Sequence, residues 1–190
     1  MEERTLATLK EMLIARGVRD EKFEVVGAPL DETKMFTFGG ILIIFSMKAR
    51  VSATDLTNFN GYATDNNHNN GIIIVARSRA SDAVLDALRV YIADKDNHLV
   101  QFFEERHLQF NISKHVKVPK HRVILPDELD AVLRESNVKT PTLFSKIDSQ
   151  DPMARWIGAR PGDVVEITGM CESSVENKRY RFCMADVTNG

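Results

Sequence analysis

Three places in this chain carry side chains whose types and spacing suit chemistry. The first is Ile43-Ile44-Phe45-Ser46-Met47-Lys48. A strand ending in an acid-x-Lys signature, set in a helix-flanked mixed sheet, can hold a magnesium ion and cut DNA. Here Ser46 stands where a second metal-binding carboxylate is needed, and a neutral hydroxyl binds a hard dication poorly. The expectation is a Lys48 at a solvated strand end and no nuclease centre. The second place is Arg77-Ser78-Arg79, just before Ser81, which suits a helix N-cap. Two guanidinium groups beside a helix N-terminus can meet backbone phosphates, or they can be exposed loop charges; both readings stay open. The third is a scatter of five histidines and two cysteines. His115 and His121 bracket an expected strand, and neither they nor Cys171 and Cys183 show the spacing of a zinc site. The cysteines are expected as small buried hydrophobes in or beside the last two strands. There is no phosphate-binding glycine loop or nucleophile elbow, and Gly39-Gly40 suits a bend. No catalytic residue, metal ligand or cofactor is predicted.

The elements that must position these residues follow from periodicity. Leu6, Leu9 and Leu13 mark an amphipathic helix that Gly17 ends. Strands are expected at residues 23–27 and 35–38, with Pro29 in the loop between them. A buried strand at residues 41–45, a short helix at 55–62 and a second buried strand at 72–75 follow. Between the last two, Asn66 to Gly71 forms a polar, solvated connection. Val84, Leu85, Leu88, Tyr91 and Ile92 share a helix face. Residues 99–103 and 108–112 carry strand patterns. Strand and helix alternate here as in an open sheet covered by helices.

Beyond Ser113, Pro126 with Asp127 and Glu128 opens a helix that turns Leu129, Val132 and Leu133 inward. The densest signals lie in residues 151–167, reading DPMARWIGARPGDVVEI. Asp151 suits an N-cap and Pro152 the first helical position. Met153, Trp156 and Ile157 share one side, and Gly158 supplies a left-handed stop. Pro161-Gly162-Asp163 is turn chemistry, after which Val164 starts a strand. Arg155, in this short apolar helix, either reaches solvent or binds a fixed acceptor. From Arg179 to Met184 the pattern alternates, with Tyr180, Phe182 and Met184 opposite Arg179 and Arg181.

These residues carry a resemblance to one family. His115, Val118, Pro119 and His121 meet a pattern H-x-x-V-P-x-H. Asp151, Pro152, Ala154, Arg155 and Gly158 meet D-P-x-A-R-x-x-G, and P-G-D-V-V-x-I is met in full. Followed by Tyr180-Arg181, the stretch resembles the small H subunit of archaeal RNA polymerase, which corresponds to the shared fifth subunit of the eukaryotic nuclear enzymes. The chain departs from that family in two places. Ala80-Ser81-Asp82-Ala83 stands where the family has Thr-Pro-Ser-Ala. Within residues 168–175, Gly169 replaces an arginine, Cys171 a serine and Val175 a glycine, while Glu172 is kept.

The 190 residues allow one large or two small domains, and a hydrophobic content of 43% supports real cores. The net charge of −2 demands no polyanion. Residues 1–113 hold 13 basic and 16 acidic side chains and the remainder 12 and 11, so neither part is a basic nucleic-acid module. No apolar run approaches a membrane span, the acidic start is unlike a signal peptide, and two thiols fit a reducing compartment.

The expected fold class is α+β. A three-layer α/β/α jaw domain with an open mixed sheet occupies residues 1–112, and a small α+β domain like the archaeal H subunit occupies residues 113–190. The resemblance implies a non-catalytic subunit of a multisubunit DNA-directed RNA polymerase, whose magnesium chemistry resides in the large subunits. It implies docking on the largest subunit through His115, Pro119, His121, Arg155, Gly158, Tyr180 and Arg181, contact with other polymerase subunits, and weak, non-specific contact with downstream duplex DNA through Arg77 and Arg79. No membrane partner is expected. Residence in the nucleus is expected, or in a cytoplasmic virus factory or virion for a viral homologue. The alternative reading is a stand-alone nucleic-acid-binding or degenerate nuclease-like protein.

Overall fold

A computed structural model describes residues 2–27, 30–68, 70–94, 96–171 and 174–186. The chain divides into two compact units, Met1–Phe110 and Asn111–Gly190. Both are mixed α+β.

In the first unit, helix α1 (Glu2–Ala15) precedes strands β1 (Glu24–Val25), β2 (Thr33–Phe38) and β3 (Ile41–Ser46). Helix α2 (Ala53–Asp65), β4 (Ile72–Ala76), α3 (Asp82–Ala93) and β5 (Val100–Glu104) follow. The five strands pair in chain order, antiparallel from β1 to β3 and parallel from β3 to β5. Two successive right-handed crossovers running the same way along a sheet must lay their helices on one face. The core shows that arrangement: Leu42, Ile44, Ile72, Ile74, Val100 and Phe102 pack with Leu56 and Phe59 of α2 and with Val84 and Leu88 of α3.

Side chains alternate along a strand, so Gln101 points to the opposite face from Val100 and Phe102. There it accepts a 2.7 Å hydrogen bond from the Arg16 guanidinium, just past the end of α1. Leu9, Met12 and Leu13 of α1 are fully buried. The sheet is therefore covered on both sides, which is why β3, β4 and β5 are buried at every position.

Gly39 and Gly40, at φ +57° and +78°, form the two-residue turn joining β2 to β3, a conformation the right-handed twist of the strands favours. Asn70, expected in a merely solvated connection, holds that turn by donating from its side-chain amide to the Gly39 carbonyl at 2.9 Å.

Residues 108–112 do not form the strand their pattern suggested. Glu105–Leu108 and Ile112–Lys114 are 3₁₀ turns. Leu108 is buried, and the Gln109 amide donates to Thr5 Oγ1 on α1 and to the Glu105 carbonyl. The Asn111 side chain accepts from the Ser113 N–H at 2.9 Å. Local side-chain bonds of this kind compete with a ladder.

The second unit contains β6 (Lys120–Val123), α4 (Pro126–Glu135), β7 (Ser145–Asp148), α5 (Pro152–Ile157), β8 (Val164–Cys171) and β9 (Ser174–Met184). Its sheet has the order β6-β8-β9-β7, with β7 parallel to β9 and the other pairs antiparallel. One face packs on α4 through Ile124, Val132, Val164 and Phe182. The other packs around α5 through Ile147, Ala154, Ala159, Val165 and Cys183. Burial, with the nearby carboxylates of Asp163, Asp148 and Asp151, pushes the Cys183 thiol up to about 12. The readings on Pro29 and Glu172 lie outside the described residues, as do those on the side chains of Cys171 and Val175.

Candidate functional site

The motif segment at residues 151–167 folds as its signals require. One Asp151 carboxylate oxygen accepts from the Met153 and Ala154 N–H groups at 2.8 and 3.2 Å. Pro152 opens α5, and Gly158 closes it at φ +74° while its N–H returns to Ala154 and Arg155 carbonyls. Met153, Ala154 and Trp156 are buried. The following turn is fixed at both ends. Asp163 accepts from the Arg160 N–H at 2.8 Å, and β9 exchanges backbone bonds with Gly162 and Asp163 through Cys183. Helix, turn and strand thus form one rigid piece, and Arg155 is half-buried on it.

The segment leading into β6 differs from the expected bracketing of a strand by two histidines. His121 lies inside β6 opposite Ile167, while His115 is exposed in the preceding turn. The His115 carbonyl accepts from the Val118 N–H, and its ring Nδ1 lies 3.2 Å from the Lys117 N–H. His121 Nδ1 lies 2.8 Å from the Pro119 carbonyl.

Residues 116–120 run beside the face of the β8–β9 hairpin that carries Ile167, Gly169, Asn177 and Arg179. Between them lies an open groove of about 860 Å³. Val116, at its rim, is 99% exposed. Gly169 lies in the groove's lining, and a Cβ there would meet Pro119 Cβ at 3.6 Å, an ordinary contact distance.

The predicted docking residues do not all share a surface. His121, paired with Ile167, and Arg181, paired with Val165, belong to the face on which α5 packs. Tyr180, paired with Glu166, belongs to the α4 face, half-buried with its ring 5.6 Å from that of Phe144. Burial and the neighbouring Glu166 carboxylate hold its hydroxyl pKa above the ordinary value.

Beside Tyr180 lies a cluster the sequence reading missed. Arg122 bonds Glu166 through two nitrogens, at 3.0 and 3.2 Å, and reaches Glu128 at 2.7 Å. Glu128 also accepts from the Leu125 N–H at the start of α4. The bonds from Arg122 hold both carboxylates below the ordinary glutamate range. Only the register, which sets Arg122 opposite Glu166, could have revealed the pair, and no local spacing encodes it.

In the first unit, Ser46, Ala76 and Glu104 stand in line at the C-terminal ends of β3, β4 and β5. Arg77 and Arg79 emerge just beyond that edge and are exposed. The Arg77 side chain, 72% exposed, has Glu105 at 3.9 Å. Lys48 corrects an expectation, since it is no solvated strand end. Its ammonium pairs with Asp55 at 2.6 Å, which raises its pKa. Burial pushes the Asp55 carboxyl up, but the bonds from Lys48 and Ser52 outweigh it and hold it low. Asp55 is thereby committed to the start of α2, where Ser52 and Asp55 cap each other. Among the described residues no three His, Cys, Asp or Glu side chains converge as metal ligands, and no helix is long and apolar enough to cross a membrane.

Residues 110–183 match the family model described as RNA polymerase Rpb5, C-terminal domain. The chain is 36% identical over 78 residues to the DNA-directed RNA polymerase subunit Rpo5 of Pyrococcus abyssi, a match covering 41% of this chain and 94% of that protein. It is 31% identical over 111 residues to subunit 5B of the DNA-directed RNA polymerases IV and V of Arabidopsis thaliana, covering 58% of this chain and 48% of the relative. It is 30% identical over 144 residues to the rpabc1 subunit of DNA-directed RNA polymerases I, II, and III of Dictyostelium discoideum, covering 76% and 72%. A match of that length exceeds the second unit and extends into the first. With nearly the whole archaeal protein matched and the motif residues assembled in one folded unit, the chain belongs to the Rpb5 family of RNA polymerase subunits.

Proposed function

We propose that this chain is a non-catalytic subunit of a multisubunit DNA-directed RNA polymerase. The observation that carries the reading is the archaeal match, which takes in nearly all of that protein, joined to the family match over residues 110–183. A relative consisting of little more than the matched stretch supports a docking module in the second unit. We place its contact with the largest subunit on the α5–turn–β8 piece and the segment leading into β6. His115, Pro119, His121, Arg155, Gly158 and Arg181 are the residues put forward, with Tyr180 supporting from the opposite face. Purification of the full tagged chain from its source, with identification of what accompanies it, tests this. The large polymerase subunits should be recovered, and their absence would sink the reading.

In the first unit, Arg77 and Arg79 at the C-terminal edge of β4 are proposed to touch downstream duplex DNA. Arg79 is the stronger candidate, because Glu105 partly offsets the charge of Arg77. Replacing both by alanine should weaken crosslinking to downstream DNA in the assembled enzyme, and binding should fall steeply with salt because only phosphate contacts are involved. Unchanged crosslinking would return both residues to the loop surface. A stand-alone nuclease is disfavoured by Ser46, a neutral hydroxyl where a second metal-binding carboxylate is needed, and by the pairing of Lys48 with Asp55. Residence with the polymerase, in a nucleus or a virus factory, follows from the same proposal.

A further inference from the structure

The groove beside β6 has a chemical character of its own. Its floor and one wall are apolar, from Val118, Pro119 and Ile167, with Val116 fully presented at the rim. Among the described residues that line it, the charged ones are Lys117, Lys120 and Arg179, and none is a carboxylate. None of these three cations has an ion pair among the described residues. The acid nearest along β8, Glu166, alternates to the other face, where Arg122 neutralises it. An exposed apolar trough whose positive rim has no ion pair among the described residues is complementary to one kind of occupant.

We propose that this groove binds an extended, acidic protein segment carrying an apolar anchor residue. The anchor rests over Gly169, against Pro119 and Ile167, while flanking carboxylates meet Lys117 and Arg179. A desolvated apolar anchor provides most of the affinity, and the charged rim provides encounter rate and specificity. The groove, at about 860 Å³, has room for a few residues of extended chain but not for a compact domain. Single-stranded nucleic acid is the other polyanion such a rim attracts, but it needs aromatic platforms for its bases, and among the described residues no aromatic side chain lines the groove. This inference rests on the reading that the second unit acts through docking surfaces. It does not require the partner to be the largest subunit.

The test uses the purified full chain and a fluorescein-labelled peptide of about ten residues, made of aspartate and glutamate around one central leucine, in low salt. Three comparison probes are used: the same peptide with amide side chains in place of acids, the same peptide with glycine for leucine, and an oligothymidylate of similar length. Anisotropy should show the acidic leucine peptide bound at least roughly tenfold more tightly than any of the three, with an affinity that falls as salt rises.

Gly169→Leu should abolish binding by filling the trough. It should leave the melting temperature unchanged, because Gly169 has no positive φ and a Cβ there meets Pro119 only at ordinary contact distance. The double variant Lys117→Glu/Arg179→Glu, at two exposed positions, should weaken binding by a similar factor without touching the core. Absence of peptide binding to the unaltered chain would overturn the proposal. So would equal binding of the neutral peptide, preference for the oligonucleotide, or indifference to both variants. Because the assay contains no polymerase, its failure leaves the polymerase reading standing. Recovery of no polymerase in the purification described above would remove that reading and leave the peptide result intact.

Discussion

At Asp151 a single carboxylate oxygen satisfies two backbone donors of a six-residue helix that has little propensity to form alone. Asp151→Ala should therefore lower stability by about 0.5–2 kcal/mol, read as a shift in the denaturant midpoint. Arg122 presents a different balance. Its bond to Glu128 joins two half-exposed groups, 47% and 37% accessible, so solvent screens most of what that bond contributes. Its bond to Glu166 matters more, because that carboxylate is only 8% accessible and would be left desolvated and unpaired. Arg122→Met should cost about 1–3 kcal/mol, clearly more than Glu128→Gln, and the double variant Arg122→Met/Glu166→Gln should recover part of the loss. The pH dependence has a definite sign. Both glutamate pKa values are depressed in the fold, so the stability they contribute is complete above the unfolded value of about 4.3 and is lost as pH falls through the folded values. Acid unfolding of the Arg122→Met protein should accordingly show a shallower slope below that point.

Among the elements, the hairpin at Gly39-Gly40 offers a sharp test. Gly40→Ala would force an L side chain into φ +78° and drive its Cβ against the Asn70 side-chain amide. About 1–2 kcal/mol should be lost, and the amide exchange of β2 and β3 should rise with it. The elements that could be read from the sequence were those with strong local signals. The Ile41 and Ile72 runs, the Leu9–Leu13 face and the Asp151-Pro152 to Gly158 helix are of that kind. Strand β7 was not foreseen, because Ser145-Lys146-Ile147-Asp148 has one apolar residue and gains its partner, β9, from 36 residues away. The apparent strand at residues 108–112 failed for the converse reason: Leu108 and Phe110 alternate properly, but side chains of Gln109 and Asn111 hold the backbone in turns. At the candidate site, the cap, the turn and Gly158 were legible. The Arg122–Glu166 pair and the groove over Gly169 were not, since each is a product of register.

For the molecule as a whole, the division at Phe110 makes the two proposed roles separable. Residues 113–190 alone should co-purify with the largest polymerase subunit, while residues 1–112 should recover far less of it. Within the full chain, Arg181→Glu, at an exposed position of the α5 face, should reduce that recovery without altering the melting curve. Arg155→Ala should reduce it as well, with a modest loss of stability because its stem is half-buried. Association carried entirely by residues 1–112 would overturn this division of labour.

The strand orders of the two units also set a timetable for synthesis. The first sheet pairs in the order β1 to β5, so each strand leaving the ribosome finds its neighbour already present. The second is arranged as β6-β8-β9-β7, and its two earliest strands are its two borders. When β6, α4, β7 and α5 have emerged, β6 and β7 have nothing to pair with, and their apolar residues await a centre not yet translated. The β8–β9 hairpin then enters between them and completes both ladders together. A nascent chain interrupted within residues 164–184 would thus present a finished first unit attached to two open strand edges, the form of chain most exposed to chaperones and to mispairing with its own copies.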